Sequence, residues 1–244
     1  MIRKRHLAAA LTACGIALAD QPPAAATPPI FEAAVQKYIM EHPEVILKSL
    51  TNFQLRQKQV AQERARQTVV AERENLVNDP TSPSAGSAKG VTVVEFFDYR
   101  CGYCRKVSGT VAKLLETNPN VRVVFKELPI LGPDSMIASK ASLAAHKQGA
   151  YLKFHAALFE AAEPVTIAFI ERIAAGLGMD VAKLKADMNA PEIDQIIVHN
   201  SELAGKLQVR ATPTFVIGGE VVAGAVDAER LDSLIKAEAA TLRK

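Results

Sequence analysis

The chain has 244 residues, 49% of them hydrophobic, enough for one large domain or for a domain that carries an arm. Its formal charge of +3 vanishes once Arg3, Lys4 and Arg5 are set aside, so the balance of charge gives no argument for nucleic acid or an anionic surface as partner. Three cysteines are too few for a structural disulfide framework.

The basic start Met1–His6 is followed by an apolar run, Leu7–Leu18, too short to span a bilayer and proportioned like a signal-peptide core. Ala17-Leu18-Ala19 offers small residues for cleavage before Asp20, and Ala24-Ala25-Ala26 is a second site. Residues 1–19 are therefore read as a removed export signal, and the expected location is the periplasm. Leu11-Thr12-Ala13-Cys14 also resembles the lipobox of bacterial lipoproteins, in which the cysteine is acylated. The apolar stretch before that cut is short, so soluble export ranks ahead of anchoring at Cys14. On either route Cys14 is removed or capped, and Cys101 and Cys104 are the thiols left.

Residues 20–29 are rich in Pro and Ala and read as unstructured. From Ile30 the pattern is helical, with Phe31, Ala34, Val35, Tyr38 and Ile39 on one face. Pro43 followed by Glu44 suits the first turn of a second helix reaching about Asn75. Ile46, Leu50, Phe53, Gln57 and Val60 form a short heptad seam along it. A long helix with a thin apolar stripe is either a solvated element packed on its own domain or an oligomerisation arm; the second reading is preferred for residues 30–77. Residues 78–90, with their Pro, Ser and Gly, read as a linker.

The catalytic domain is expected at 91–244. Val91–Phe97 is β-branched and aromatic and reads as a buried strand. A helix from about Cys101 to Glu116 and a strand at Val121–Lys126 follow. Residues 134–208 carry only helical patterns. Thr214–Ile217 and Glu220–Ala223 flank Gly218-Gly219, a two-residue hairpin signal, and Asp227 caps a last helix, Ala228–Leu242. This order describes an α/β thioredoxin fold with an all-helical insertion, preceded by a helical arm.

Cys101-Gly102-Tyr103-Cys104 falls where the strand gives way to the helix. Free N–H groups and the positive end of the helix dipole stabilise a thiolate there, the reactive form of cysteine. Cys101 is the expected nucleophile, with Arg100, Arg105 and Lys106 beside it in sequence to favour the anion; Cys104, one turn deeper, is the expected resolving thiol. The competing reading, half of a zinc site, lacks a second cysteine pair or histidines at ligand spacing, so no metal and no cofactor are expected. Glu95, within the strand, is either an edge residue in water or a buried acid of raised pKa that accepts the proton of Cys104; alternation places it with Val93 and Phe97 and favours burial. Lys126 is its expected partner. Thr212-Pro213 opens a later strand, where sequence alone would assign a trans peptide.

EFFDYRCGYCRK, followed by RATPTFVIGGEVVAGAV, resembles the DsbA-like branch of bacterial thiol:disulfide oxidoreductases, and FEAAVQKYIMEHPEVILKSL resembles the N-terminal arm of its ScsC-type members. The resemblance implies that Pro213 is cis, that Thr212 faces the cysteines and pairs with an extended substrate segment, and that Glu95 is the buried acid. Gly102-Tyr103 with Thr212 departs from the strongly oxidising prototype and looks more like the DsbC-type isomerases. The implied function is thiol:disulfide interchange on exported cysteine-containing proteins, in isomerase or reductase mode ahead of oxidase, with a membrane redox partner and self-association through the arm. The rival of another class is a thiolate Cu(I)-binding or metal-tolerance module.

Overall fold

The computed structural model describes residues 29–161 and 163–243. The export signal, its cleavage sites, Cys14 and the Pro/Ala stretch up to residue 28 lie outside the described residues. The chain divides into two compact units at Gln54/Leu55.

The first unit holds α1 (Pro29–Glu41) and the start of α2 (Pro43–Ala71). Pro43 opens α2, where its missing N–H costs nothing, and Glu44 in the first turn both faces the dipole and accepts from the His42 ring at 3.1 Å. Among the α1 residues expected on one face, Phe31, Val35 and Tyr38 are exposed.

The second unit begins inside α2, which corrects the expected arm of residues 30–77. Val69 of α2 and Leu76, in a single π-helical turn at Glu74–Asn78, are buried with Val94, Phe96, Val124 and Leu203. These two apolar side chains draw the end of the helical segment into the domain core, where each is worth roughly 1.5–3 kcal/mol. The expected linker is also corrected. Ser84–Gly86 forms β1, antiparallel to β3 (Val121–Glu127) with Ala85 opposite Val123. Gly86 has φ +91°, and a side chain there would strike the Val121 carbonyl oxygen at 2.2 Å, so this edge needs glycine.

β2 (Val91–Phe97) is the central strand, joined to parallel β3 by α3 (Gly102–Thr117). β4 (Thr214–Ile217) is antiparallel on its other side, followed by β5 (Glu220–Ala223) across the turn where Gly218 takes φ +58°. The sheet order is β1-β3-β2-β4-β5. Among the described residues, five helices separate β3 from β4: α4 (Pro133–His146), α5 (Tyr151–Glu160), α6 (Ile167–Gly176), α7 (Val181–Met188) and α8 (Pro191–Lys206). Asp227 caps the closing α9 (Ala228–Leu242) by accepting the Arg230 N–H at 2.8 Å. β2 is buried on both faces: Val93 and Phe97 join α3, α5 and α9, while Val94 and Phe96 meet Val69 and Leu203. Two-sided burial is why its sequence reads as a continuous apolar run rather than an alternation. The architecture is a thioredoxin fold with a helical insertion.

Candidate active site

Leaving β2, the chain passes Asp98, Tyr99 and Arg100 and enters α3 with Cys101 as its N-cap residue. Cys101 is 7% exposed and Cys104 is fully buried; both are free thiols. The Cys101 Sγ donates to the Thr212 carbonyl at 3.1 Å across 111 positions of sequence. Burial alone would push the Cys101 thiol up, but the Thr212 side chain, the N–H groups of Tyr103 and Cys104 and the Cys104 thiol outweigh it and bring its pKa below the ordinary cysteine value. Burial acts with less opposition on Cys104, and a neighbouring Cys101 sulfur adds to it, so that thiol is driven far up and stays protonated. Two sulfurs one turn apart thus have opposite acidities.

The basic neighbours contribute differently from expectation. Arg100 pairs with Asp134, and Arg105 donates to the carbonyls of Phe159 and Ala161 at the end of α5. Lys106 lies over the Tyr103 ring, 5.4 Å from its centroid. Local N–H groups and Thr212, rather than a cationic flank, acidify Cys101.

The Thr212–Pro213 peptide is cis, as the family resemblance implies and against the trans form that sequence alone would assign. The Pro213 carbonyl is occupied by the Gly224 N–H at 2.8 Å, and the Thr214 hydroxyl donates to the Ala211 carbonyl at 2.7 Å, fixing this loop beside Cys101. Glu95 is buried, with Phe125 and Phe215 opposite it on the two neighbouring strands. Desolvation pushes its carboxyl up to about 8. Lys126 is not its partner. That ammonium is fully buried and donates to Asp79, Ser82 and the Asn75 carbonyl, each at 2.7 Å. Period-2 alternation explains the miss: Glu95 and Lys126 stand on opposite faces of the sheet, with Phe125 sharing the face of Glu95.

Two buried groups escaped the sequence reading. Asp98 accepts four hydrogen bonds, from the Arg100, Ile130 and Leu131 N–H groups and the Ser135 hydroxyl. Glu127, pushed up to about 8 by burial, accepts from Tyr99, Tyr151 and Ser139, and joins the turn before Cys101 to α4 and α5. An acid at the very end of each apolar strand is the available signal. Among the described residues, no group of three or more His, Cys, Asp and Glu side chains is placed to hold a metal ion. None of the described helices is long and apolar enough to cross a membrane.

Fold and site together define a protein of the thioredoxin class whose two cysteines stand at a helix tip opposite a cis-proline. A family model described as the DSBA-like thioredoxin domain matches residues 92–236, and the chain belongs to that family. A thioredoxin-like oxidoreductase from Silicibacter pomeroyi DSS-3 is 42% identical, with 68% of this chain and 96% of that one covered and a TM-score of 0.66. A linker-deletion mutant of Proteus mirabilis ScsC is 26% identical at a TM-score of 0.69; the likeness covers 91% of this chain and 99% of that one, so it extends into the N-terminal helices. The Na(+)/H(+) antiporter NhaA 3 of Salinispora tropica is 28% identical over 171 residues, 67% of this chain. The chain spans about a quarter of the length of that antiporter, 26%.

Proposed function

We propose that the chain is a periplasmic thiol:disulfide interchange protein acting on exported cysteine-containing proteins, in isomerase or reductase mode ahead of oxidase. The observation that carries this reading is the acidified Cys101 sulfur against Thr212, with Cys104 kept protonated beneath it. Cys101 thiolate attacks one sulfur of a client disulfide. A Cys101–client bond forms, the client S–S bond breaks, and the departing sulfur leaves as a thiolate that takes a proton from water. In isomerisation a second client thiolate displaces Cys101, and no net oxidation occurs. In reduction Cys104 yields its proton to Glu95 and attacks Cys101; the pair closes as a disulfide and the client leaves as a dithiol. A carboxyl with a pKa of about 8 suits that transfer near neutral pH.

A stabilised thiolate stabilises the reduced pair, the form that reshuffling needs, and Gly102-Tyr103 with Thr212 supports the same preference. A membrane redox partner would keep the pair reduced. The export signal read in residues 1–19 supports the compartment. Reduced protein is expected to reactivate scrambled ribonuclease; failure to do so removes the isomerase mode. Insulin reduction by the wild type, lost in Cys101→Ser, tests exchange itself. Tight Cu(I) binding without any insulin reduction would favour the metal-binding alternative.

A further inference from the structure

Asp98 is fully buried, three residues before Cys101, and is neither a nucleophile nor a proton acceptor in the steps above. One carboxylate oxygen accepts the Arg100 N–H and the Ser135 hydroxyl, both at 2.7 Å; the other accepts the N–H groups of Ile130 and Leu131 at 2.8 and 3.0 Å. A desolvated carboxylate is tolerated because these four bonds replace its hydration. The donors come from three separate places: the turn entering the cysteine pair, the segment after β3, and the first turn of α4. The Asp98 backbone holds the cysteine turn as well: its carbonyl accepts the Cys101 N–H at 3.0 Å. The segment it holds carries Ile130 and Leu131, both about half exposed (47% and 49%), and Tyr103 between the cysteines is 63% exposed. Apolar side chains left open on the segment that Asp98 ties to the cysteine turn offer a lip on which an unfolded client could rest.

We propose that Asp98 is a positioning residue for the exchange reaction: its carboxylate ties the Ile130–Leu131 lip to the Cys101 turn, so that the nucleophile keeps its thiolate-stabilising donors while the lip takes the client. The inference rests on the exchange function proposed above. The charge of Asp98 and its positioning act on Cys101 with opposite signs. Removing a nearby anion would by itself make Cys101 more acidic, whereas loosening the turn withdraws the donors that stabilise the thiolate and makes it less acidic. Asp98→Asn separates the two. With the amide oxygen kept on Ile130 and Leu131, its NH2 group meets the Arg100 N–H, donor against donor, while the Ser135 hydroxyl can rotate to accept.

The test measures Cys101 acidity by thiolate absorbance in reduced protein, together with kcat and KM for a fluorescent peptide disulfide. In folded Asp98→Asn, the Cys101 pKa is expected to rise toward that of an ordinary cysteine, with kcat/KM reduced about tenfold or more. An unchanged or lower Cys101 pKa, in a variant that melts cooperatively, overturns the inference. Ser135→Ala removes one donor and keeps the charge; it is expected to shift Cys101 in the same direction by less, and if Asp98→Asn does not fold, no shift in Ser135→Ala overturns the inference equally. Wild-type protein without insulin reduction would sink the exchange function and this inference with it; wild-type exchange unaltered in Asp98→Asn sinks only the inference.

Discussion

At Cys101 and Cys104 the chemistry comes down to which sulfur the backbone serves. The N–H groups of Tyr103 and Cys104 and the Thr212 side chain favour the Cys101 thiolate, while Cys104 is packed into the core. Alkylation of reduced protein should therefore show a fast component that persists below the ordinary cysteine pKa of about 8.5, and a slow one from Cys104; Cys101→Ser should remove the fast component, as peptide mass mapping can show. Glu95 has the opposite linkage to an ordinary paired carboxylate. Its folded pKa of about 8 lies above the ordinary glutamate value of 4.5, so its contribution to stability is complete below about 4.5 and is lost as pH rises through about 8. The loss is on the order of 5 kcal/mol for a shift of this size. Chemical denaturation at about pH 5 and about pH 9 should show a smaller fall in stability for Glu95→Gln than for the wild type, with Glu127 supplying the fall that remains. The same variant should slow the resolving step about a hundredfold, the usual scale for one proton-transfer group. Cys101, Cys104 and Glu95 were readable because each sits at a fixed offset from a strand that announces itself. Asp98 and the true roles of Arg100 and Arg105 were not, because all but one of their partners come from 32 to 56 positions away in the chain.

At the scale of elements, strands buried on both faces, a hairpin marked by its glycines and helices opened by a cap or a proline stood out from local pattern alone, as β2 and β4, β5 and α9 respectively do. β1 did not. Three residues in a Pro/Ser/Gly stretch become a strand only because β3 offers an unpaired edge and Gly86 can approach it. The buried pair of Lys126 and Asp79 belongs to the same class of feature, since it joins β3 to the segment after the π-helical turn. Burial raises the Asp79 carboxyl, but Lys126, Thr81 and Ser82 overcome this and hold it well below the usual carboxylate range. Its stabilisation is present above the ordinary aspartate value of 3.8 and is lost as pH falls through the lower folded value. Lys126→Met leaves Asp79 buried without its cation and should cost about 3–5 kcal/mol in a denaturant titration. The double variant Lys126→Met/Asp79→Leu should cost less than the single one, because no uncompensated charge remains.

At the scale of the whole molecule, the division at Gln54/Leu55 decides how the arm should be cut. Up to Gln54, α1 and the start of α2 expose Ile30, Phe31, Tyr38, Ile46, Leu50 and Phe53, a spread of large apolar side chains that a single unit of this size leaves uncovered. Beyond it, Val69 and Leu76 belong to the domain core. Removing residues 30–75 would take Val69 with the arm and confuse loss of assembly with loss of stability. Removing residues 30–54 tests assembly alone. Mature full-length protein is expected to sediment as an oligomer, and the shortened protein as a monomer with the same melting temperature and the same rate of insulin reduction. Its reactivation of scrambled ribonuclease should fall, because reshuffling needs a client held while several bonds are tried, and linked copies raise the local concentration of thiolate. Monomers at full length would remove the arm's part in assembly and leave the chemistry at Cys101 untouched.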